Sequence, residues 1–179
     1  MVKPEFFLRE NFSFSVRVQH IASDAFVIIT ENGLLTHADR KAFVLTVQLY
    51  GLGTPMVKTI IGKSFPDAEF RQGCWELSEE KVRRQITNGD VSSYCSRDIE
   101  KRQYGGSIKA SAYIGVGWFQ DWGISVSGLT ELEDEALAII IAMKTFHLSV
   151  KNSVIQEILD KSQNHELVQN FLKYIHHKL

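Results

Sequence analysis

The segment 105–143 constrains the fold of this chain more than any other part of the sequence. After Gly105-Gly106, apolar and polar residues alternate over 107–119, and this period of two predicts a half-buried β-strand. A reversal near Asp121 and a second alternating stretch over 123–126 predict a returning strand. The segment therefore predicts a pair of adjacent antiparallel strands.

A helix over 131–146 is predicted directly after this strand pair. Thr130 and Glu133 have the spacing of a capping box, in which each side chain bonds the backbone N–H of the other residue. Backbone N–H groups at a helix start, together with the helix dipole, favour an anion such as a carboxylate or a phosphate. The sequence predicts a small-ligand site here, formed by Gly105, Gly106, Ser127, Gly128 and Thr130.

A second interpretation of the same turn needs no ligand. Gly128 then serves only to turn the chain, and Thr130 satisfies the donors of the helix start. Glu131, Glu133 and Asp134 add negative charge that opposes a bound anion. Both interpretations fit the sequence.

The remaining patterns predict an α+β fold in which helices cover an antiparallel sheet. The predicted order is β-β-α-β-β-α-β-β-α-α-α, and polar residues 90–104 are expected to form a surface loop with a helical turn. Strands are expected at 12–18, 25–30, 56–61 and 70–75, and helices at 36–51, 78–88, 154–159 and 167–175. Residues 1–150 are predicted as the α+β domain, and 151–179 as a C-terminal helical extension.

Composition excludes several classes of protein. The 179 residues carry a net charge of −1, which is unlike the basic footprint of a nucleic-acid binder. No run approaches the roughly 18 apolar residues that span a bilayer, and the N-terminus lacks a signal-peptide core, so a cytoplasmic protein is expected. Cys74 and Cys95 lack metal-site spacing and are expected to be ordinary thiols.

No catalytic constellation is predicted, although the sequence leaves catalysis open. The stretch 123–127 ends in Ser127, where the nucleophile-elbow motif of hydrolases requires glycine. The six histidines show no metal-binding spacing. His147 is the candidate ligand for a haem iron, because imidazole ligates haem; the alternative is a hydrogen-bonded histidine at the edge of the core.

Three stretches resemble the GlcG/HbpS-like family of haem-degrading or haem-binding domains. They are Gly105-Gly106, the run 123–130 (Gly-Ile-Ser-Val-Ser-Gly-Leu-Thr) and the acidic helix start 133–137. A weaker echo lies at 74–84. The resemblance implies a profilin-like subunit that forms a homo-oligomer, and it implies haem or an acidic metabolite as the ligand.

Two functions are therefore expected as alternatives. The first is an oligomeric, small-ligand-binding accessory protein. The second is a non-catalytic adaptor that binds a protein partner through apolar surface. Its contacts would come from Trp118, Phe119 and Trp122, which mark a partner site if exposed and cap the sheet if buried. Phe171 of the predicted C-terminal helix would add a further contact.

Overall fold

The computed structural model describes residues 4–113 and 119–175. Within these residues, five helices and four strands follow one another. The elements are α1 (Pro4–Glu31), β1 (Ala42–Leu49), β2 (Val57–Gly62), α2 (Ala68–Asn88), a 3₁₀ turn (Ser93–Ser96), β3 (Ser107–Tyr113), β4 (Phe119–Ser127), α3 (Glu131–Phe146), α4 (Ser153–Ser162) and α5 (His165–Ile175).

The four strands form one antiparallel sheet in the order β2-β1-β4-β3. The predicted pairing of the two strands in 107–127 is confirmed, with Ser107 opposite Ser125. The reversal predicted near Asp121 is wrong, because Asp121 lies within β4 opposite Ser111. Residues 114–118, which connect β3 to β4, lie outside the described part of the chain.

Helices cover both faces of the sheet, so the α+β class is confirmed. Helix α2 packs on one face against β1, β3 and β4, while α1 and α3 cover the other face. Helices α4 and α5 add apolar side chains to the same hydrophobic core. The residues that they bury are Ile155, Ile158, Leu159, Val168, Phe171, Leu172 and Ile175.

The N-terminal strands predicted at 12–18 and 25–30 are wrong, because both ranges lie within α1. Side chains buried along this helix recur at the three- to four-residue spacing of a helical face. They include Val18, Ala22, Ala25, Phe26 and Ile29. The alternation seen over the first range is a short coincidence within this longer stripe.

Two more element types differ from the prediction. The helix predicted at 36–51 contains strand β1, whose residues are almost all buried. Helix α2 packs on one face of β1, and Phe26 of α1 lies against Phe43 on the other, with ring centroids 5.1 Å apart. Such a strand lacks the alternation that usually marks one. The strand predicted at 70–75 lies within α2, which begins where Asp67 accepts a hydrogen bond from the Phe70 N–H.

The other predicted elements are confirmed. Strand β2 overlaps the predicted 56–61, and the predicted helical turn in 90–104 is the 3₁₀ turn. Helix α3 has the expected boundaries, with the capping box of Thr130 and Glu133 formed. Both C-terminal helices are present.

Candidate functional site

The structure brings the predicted Gly-Gly and Ser-Gly turns together at the start of α3. The Val126 N–H donates to the Gly106 carbonyl at 2.8 Å. Gly106 has a φ of +112°, and a Cβ atom there would lie 2.7 Å from Asp134 Cβ and 2.9 Å from Lys81 Nζ. Only glycine fits this position without strain, because the backbone is left-handed and the space is filled.

The donors at this turn already bind carboxylates of the chain. The Gly105 N–H donates to Glu131 Oε1 at 2.6 Å, and the Thr130 N–H donates to Glu133 Oε2 at 3.0 Å. These carboxylates occupy the place that an external anion would take at a helix start. The geometry therefore matches the interpretation of this turn that needs no ligand.

Beneath the turn, Lys81 and Asp134 form a buried ion pair. Lys81 Nζ lies 2.8 Å from Asp134 Oδ2 and also donates to the Val126 carbonyl at 3.0 Å. Burial raises the pKa of the Asp134 carboxyl, and this rise is opposed by the Lys81 ammonium and by backbone N–H groups, including that of Leu129. The pair joins α2 to the first turn of α3 with no access for a ligand, since both side chains are at most 4% exposed.

Hydrogen bonds also fix α2 on the sheet. Ser78 Oγ donates to Thr46 Oγ1 at 2.8 Å. Further along the helix, Gln85 Nε2 donates to Tyr50 Oη at 2.6 Å, and Ser107 Oγ donates to Gln85 Oε1 at 3.0 Å. Because these bonds are directional, they set the rotation of α2 and decide which of its side chains face outward.

On its outward side, α2 forms one wall of a polar cavity of about 380 Å³. The opposite wall comes from the segment 91–104, which contains the 3₁₀ turn. The cavity is lined by Glu80, Arg83, Arg84, Thr87, Asn88, Ser96 and Gln103.

Arg84 holds the two walls together. Its guanidinium donates to the carbonyls of Ser93 and Ser96 at 2.8 Å each, and to the Tyr104 carbonyl at 2.6 Å. Its Nε lies 2.7 Å from Glu80 Oε1. The hydrogen-bond donors of Arg84 are therefore bound by groups of the chain itself, and its charge is balanced by Glu80.

Arg83 differs from Arg84 in its exposure and in its contacts. Its side chain is exposed at the cavity, and none of the ion pairs among the described residues involves it. Because Glu80 is already paired with Arg84, Arg83 gives the cavity a net positive charge. Thr87, Asn88 and Gln103 add hydroxyl and amide donors. This combination suits a small anion.

This cavity was not predicted from the sequence, since adjacent basic residues on a helix usually form a solvated face. The one usable signal was the position of Arg83-Arg84 in the helix that precedes the long polar stretch 90–104. Which of the two arginines faces the loop depends on contacts across the fold.

Two residues predicted to bind a partner lie inside the core. Trp122 is 4% exposed, with ring centroids 4.7 Å from Phe14 and 5.6 Å from Phe146. Phe171 is fully buried. This burial argues against their role in an adaptor surface, because the chain already covers both side chains. Trp118 and the side chain of Phe119 lie outside the described part.

His147, the candidate haem ligand, ends α3 in a left-handed conformation with a φ of +54°. Its side chain is exposed and does not line the polar cavity. Within residues 4–113 and 119–175, no three His, Cys, Asp or Glu side chains are grouped to hold a metal ion. None of the described helices combines the length and apolar character needed to cross a bilayer.

Comparison with family models, with curated proteins and with solved structures found no match to this chain. The resemblance to the GlcG/HbpS-like family therefore stays a prediction from short motifs.

Proposed function

We propose that this chain is a ligand-binding accessory protein, and that it holds a small acidic metabolite in the cavity between α2 and the 91–104 segment. The observation that carries the proposal is the exposed Arg83 guanidinium beside a cavity whose other charged residues, Glu80 and Arg84, neutralise each other. The expected ligand bears a carboxylate or a similar small anionic group, which a guanidinium binds through two parallel hydrogen bonds.

The cavity favours such a ligand over haem. Its lining side chains are charged, amide or hydroxyl groups, whereas cofactor pockets are lined mainly by apolar and aromatic residues. The candidate iron ligand His147 does not line this cavity. Haem binding would therefore need a different surface of the chain.

Replacing Arg83 with glutamine is expected to weaken binding of succinate or sulfate about ten- to a hundredfold, because one hydrogen-bonded charge contributes about 1.5–3 kcal/mol. Isothermal titration calorimetry measures this change. Arg71→Gln is the matched control, since Arg71 is exposed on the same helix but does not line the cavity. The control variant should bind as the unchanged protein does.

Equal affinities of the Arg83→Gln and Arg71→Gln proteins would contradict the proposal. Absence of succinate or sulfate binding by the unchanged protein would contradict it as well. A saturable shift of the Soret band on titration with hemin would instead support the haem alternative.

We also propose that copies of this chain assemble into a homo-oligomer, as the resemblance implies. Strand β2 supports this idea, because it lies at the edge of the sheet and pairs only with β1 among the described strands. An unpaired strand edge is a template for pairing with another chain. Native mass spectrometry should report a multiple of the 20.4 kDa chain mass; a monomer at all concentrations would contradict the proposal.

A further inference from the structure

We propose that protonation of Glu135 controls the shape of the cavity and its affinity for an anion. The effect acts through the 91–104 segment, which forms the outer wall of the cavity. The ligand readout of this inference rests on the proposed function, whereas the motion of the segment can be measured without any ligand.

Glu135 is a buried carboxyl group held by neutral partners. Its side chain is 0% exposed, in the first turns of α3. The Ser92 hydroxyl donates to Glu135 Oε2, and Asn164 Nδ2 donates to Oε1 at 3.4 Å. The Ser162 hydroxyl, which donates to the Ile158 carbonyl at 3.0 Å, is a further neutral neighbour. No ion pair involves Glu135 among the described residues, so its charged form lacks a counterion there.

The surrounding charges do not compensate for this burial. Burial raises the pKa of Glu135, three neutral side chains oppose the rise, and the negative charge of Glu131 on α3 adds to it. On the 3₁₀ turn, the titratable neighbour of Glu135 is the Cys95 thiol. On α4, the charged residue is Lys161, whose ammonium acts on that same thiol. Asn164, before α5, contributes a neutral amide.

Ser92 connects this carboxyl to the cavity wall. Its Oγ accepts a hydrogen bond from the Tyr94 N–H and so caps the 3₁₀ turn. The last residue of that turn, Ser96, lines the cavity, and its carbonyl accepts from Arg84. A displacement of Ser92 therefore moves the residues that bind Arg84 and shape the cavity.

The direction of the pH effect follows from the raised pKa of Glu135. The folded segment favours the protonated form, so its stability is complete at pH values below the ordinary carboxyl pKa. As the pH rises through the raised value, the buried carboxylate loses its proton and requires water. Release of Ser92 admits that water, and the 91–104 segment loosens.

Hydrogen exchange of residues 91–104 tests the inference without a ligand. In the unchanged protein, protection corrected for intrinsic exchange should fall about tenfold between a pH below the ordinary carboxyl pKa and a pH above the raised pKa of Glu135. Glu135→Gln keeps the shape and removes the charge, so its protection should stay constant. Glu157→Gln, at an exposed position of α4, should behave as the unchanged protein does. Ser92→Ala should loosen the segment at both pH values.

Sulfate titration supplies the second readout, because the charge of sulfate is constant over this pH range. Sulfate affinity should fall with rising pH in the unchanged protein and stay constant in Glu135→Gln. An equal pH dependence of protection in both proteins would overturn the inference, as would protection that is constant in both. If protection responds to pH but sulfate binds at no pH, the control of the segment is supported and the proposed function fails.

Discussion

Replacing Asp134 with asparagine is expected to lower the free energy of unfolding by about 3–5 kcal/mol, because the substitution leaves the Lys81 ammonium buried without a counterion. Lys81 is 2% exposed, and its other acceptor is the Val126 carbonyl. Lys81→Met should cost a similar amount, since it leaves the Asp134 carboxylate unpaired. Urea denaturation followed by circular dichroism measures both changes.

The double variant Lys81→Met, Asp134→Leu distinguishes the cost of removing the whole ion pair from the cost of leaving one partner unpaired. Replacing a buried ion pair by apolar residues of similar size is often neutral, so the double variant should recover much of the loss. Asp98→Asn is the control, because Asp98 pairs with Lys101 at the exposed surface. It should change the stability little. If the single variants are as stable as the control, this would contradict the conclusion that Lys81 and Asp134 form a buried ion pair in which each residue needs the other as its counterion.

Replacing Phe171 with alanine is expected to destabilise the chain by about 3–5 kcal/mol, the usual cost of deleting a buried aromatic side chain. Phe171 is fully buried and belongs to the same core cluster as residues of α1 and α3. Urea denaturation measures the loss. Tyr174→Ala is the matched control, since Tyr174 lies on the same helix and is 41% exposed.

The Phe171 experiment also separates two roles of the C-terminal helix. If α5 served mainly as a docking surface for a partner, Phe171→Ala would leave the stability of the isolated chain near that of Tyr174→Ala. The packing predicts a large difference. For the same reason, removal of residues 151–179 is expected to expose core side chains rather than leave an intact domain.

Elements governed by neighbouring residues could be predicted from the sequence. The capping box of Thr130 and Glu133 fixed the start of α3, because its partners lie three residues apart. Strong amphipathic stripes identified α4 and α5. The alternation predicted over 107–119 likewise identified β3, which ends at Tyr113, although the reversal predicted near Asp121 was wrong.

Elements governed by tertiary packing were not predicted. Helix α1 is rich in aromatic and β-branched residues, and a short window over 12–18 imitates a strand. Strand β1 is buried on both faces, which removed the alternation that would have identified it. In both cases the missing information was which elements cover the segment.

In the candidate site, too, features set by neighbouring residues were predicted and features set by tertiary contacts were not. The sequence identified the turn at Ser127-Gly128, but not that Glu131, Glu133 and Asp134 would occupy its donors. Glu133 also accepts a hydrogen bond from the Thr36 N–H, 97 residues away in the chain. Likewise, nothing in the sequence near Arg83-Arg84 indicates that Arg84 donates its hydrogen bonds to carbonyls of the segment 93–104 while Arg83 does not.

The most direct test of the proposed function is a titration of ¹⁵N-labelled protein with succinate, followed by backbone amide chemical shifts. The proposed site predicts saturable shifts confined to residues 80–88 and to Ser96 and Gln103. Shifts at Ser127 to Thr130 instead would place the anion at the helix start and contradict the account. An unchanged spectrum at millimolar succinate would contradict it equally.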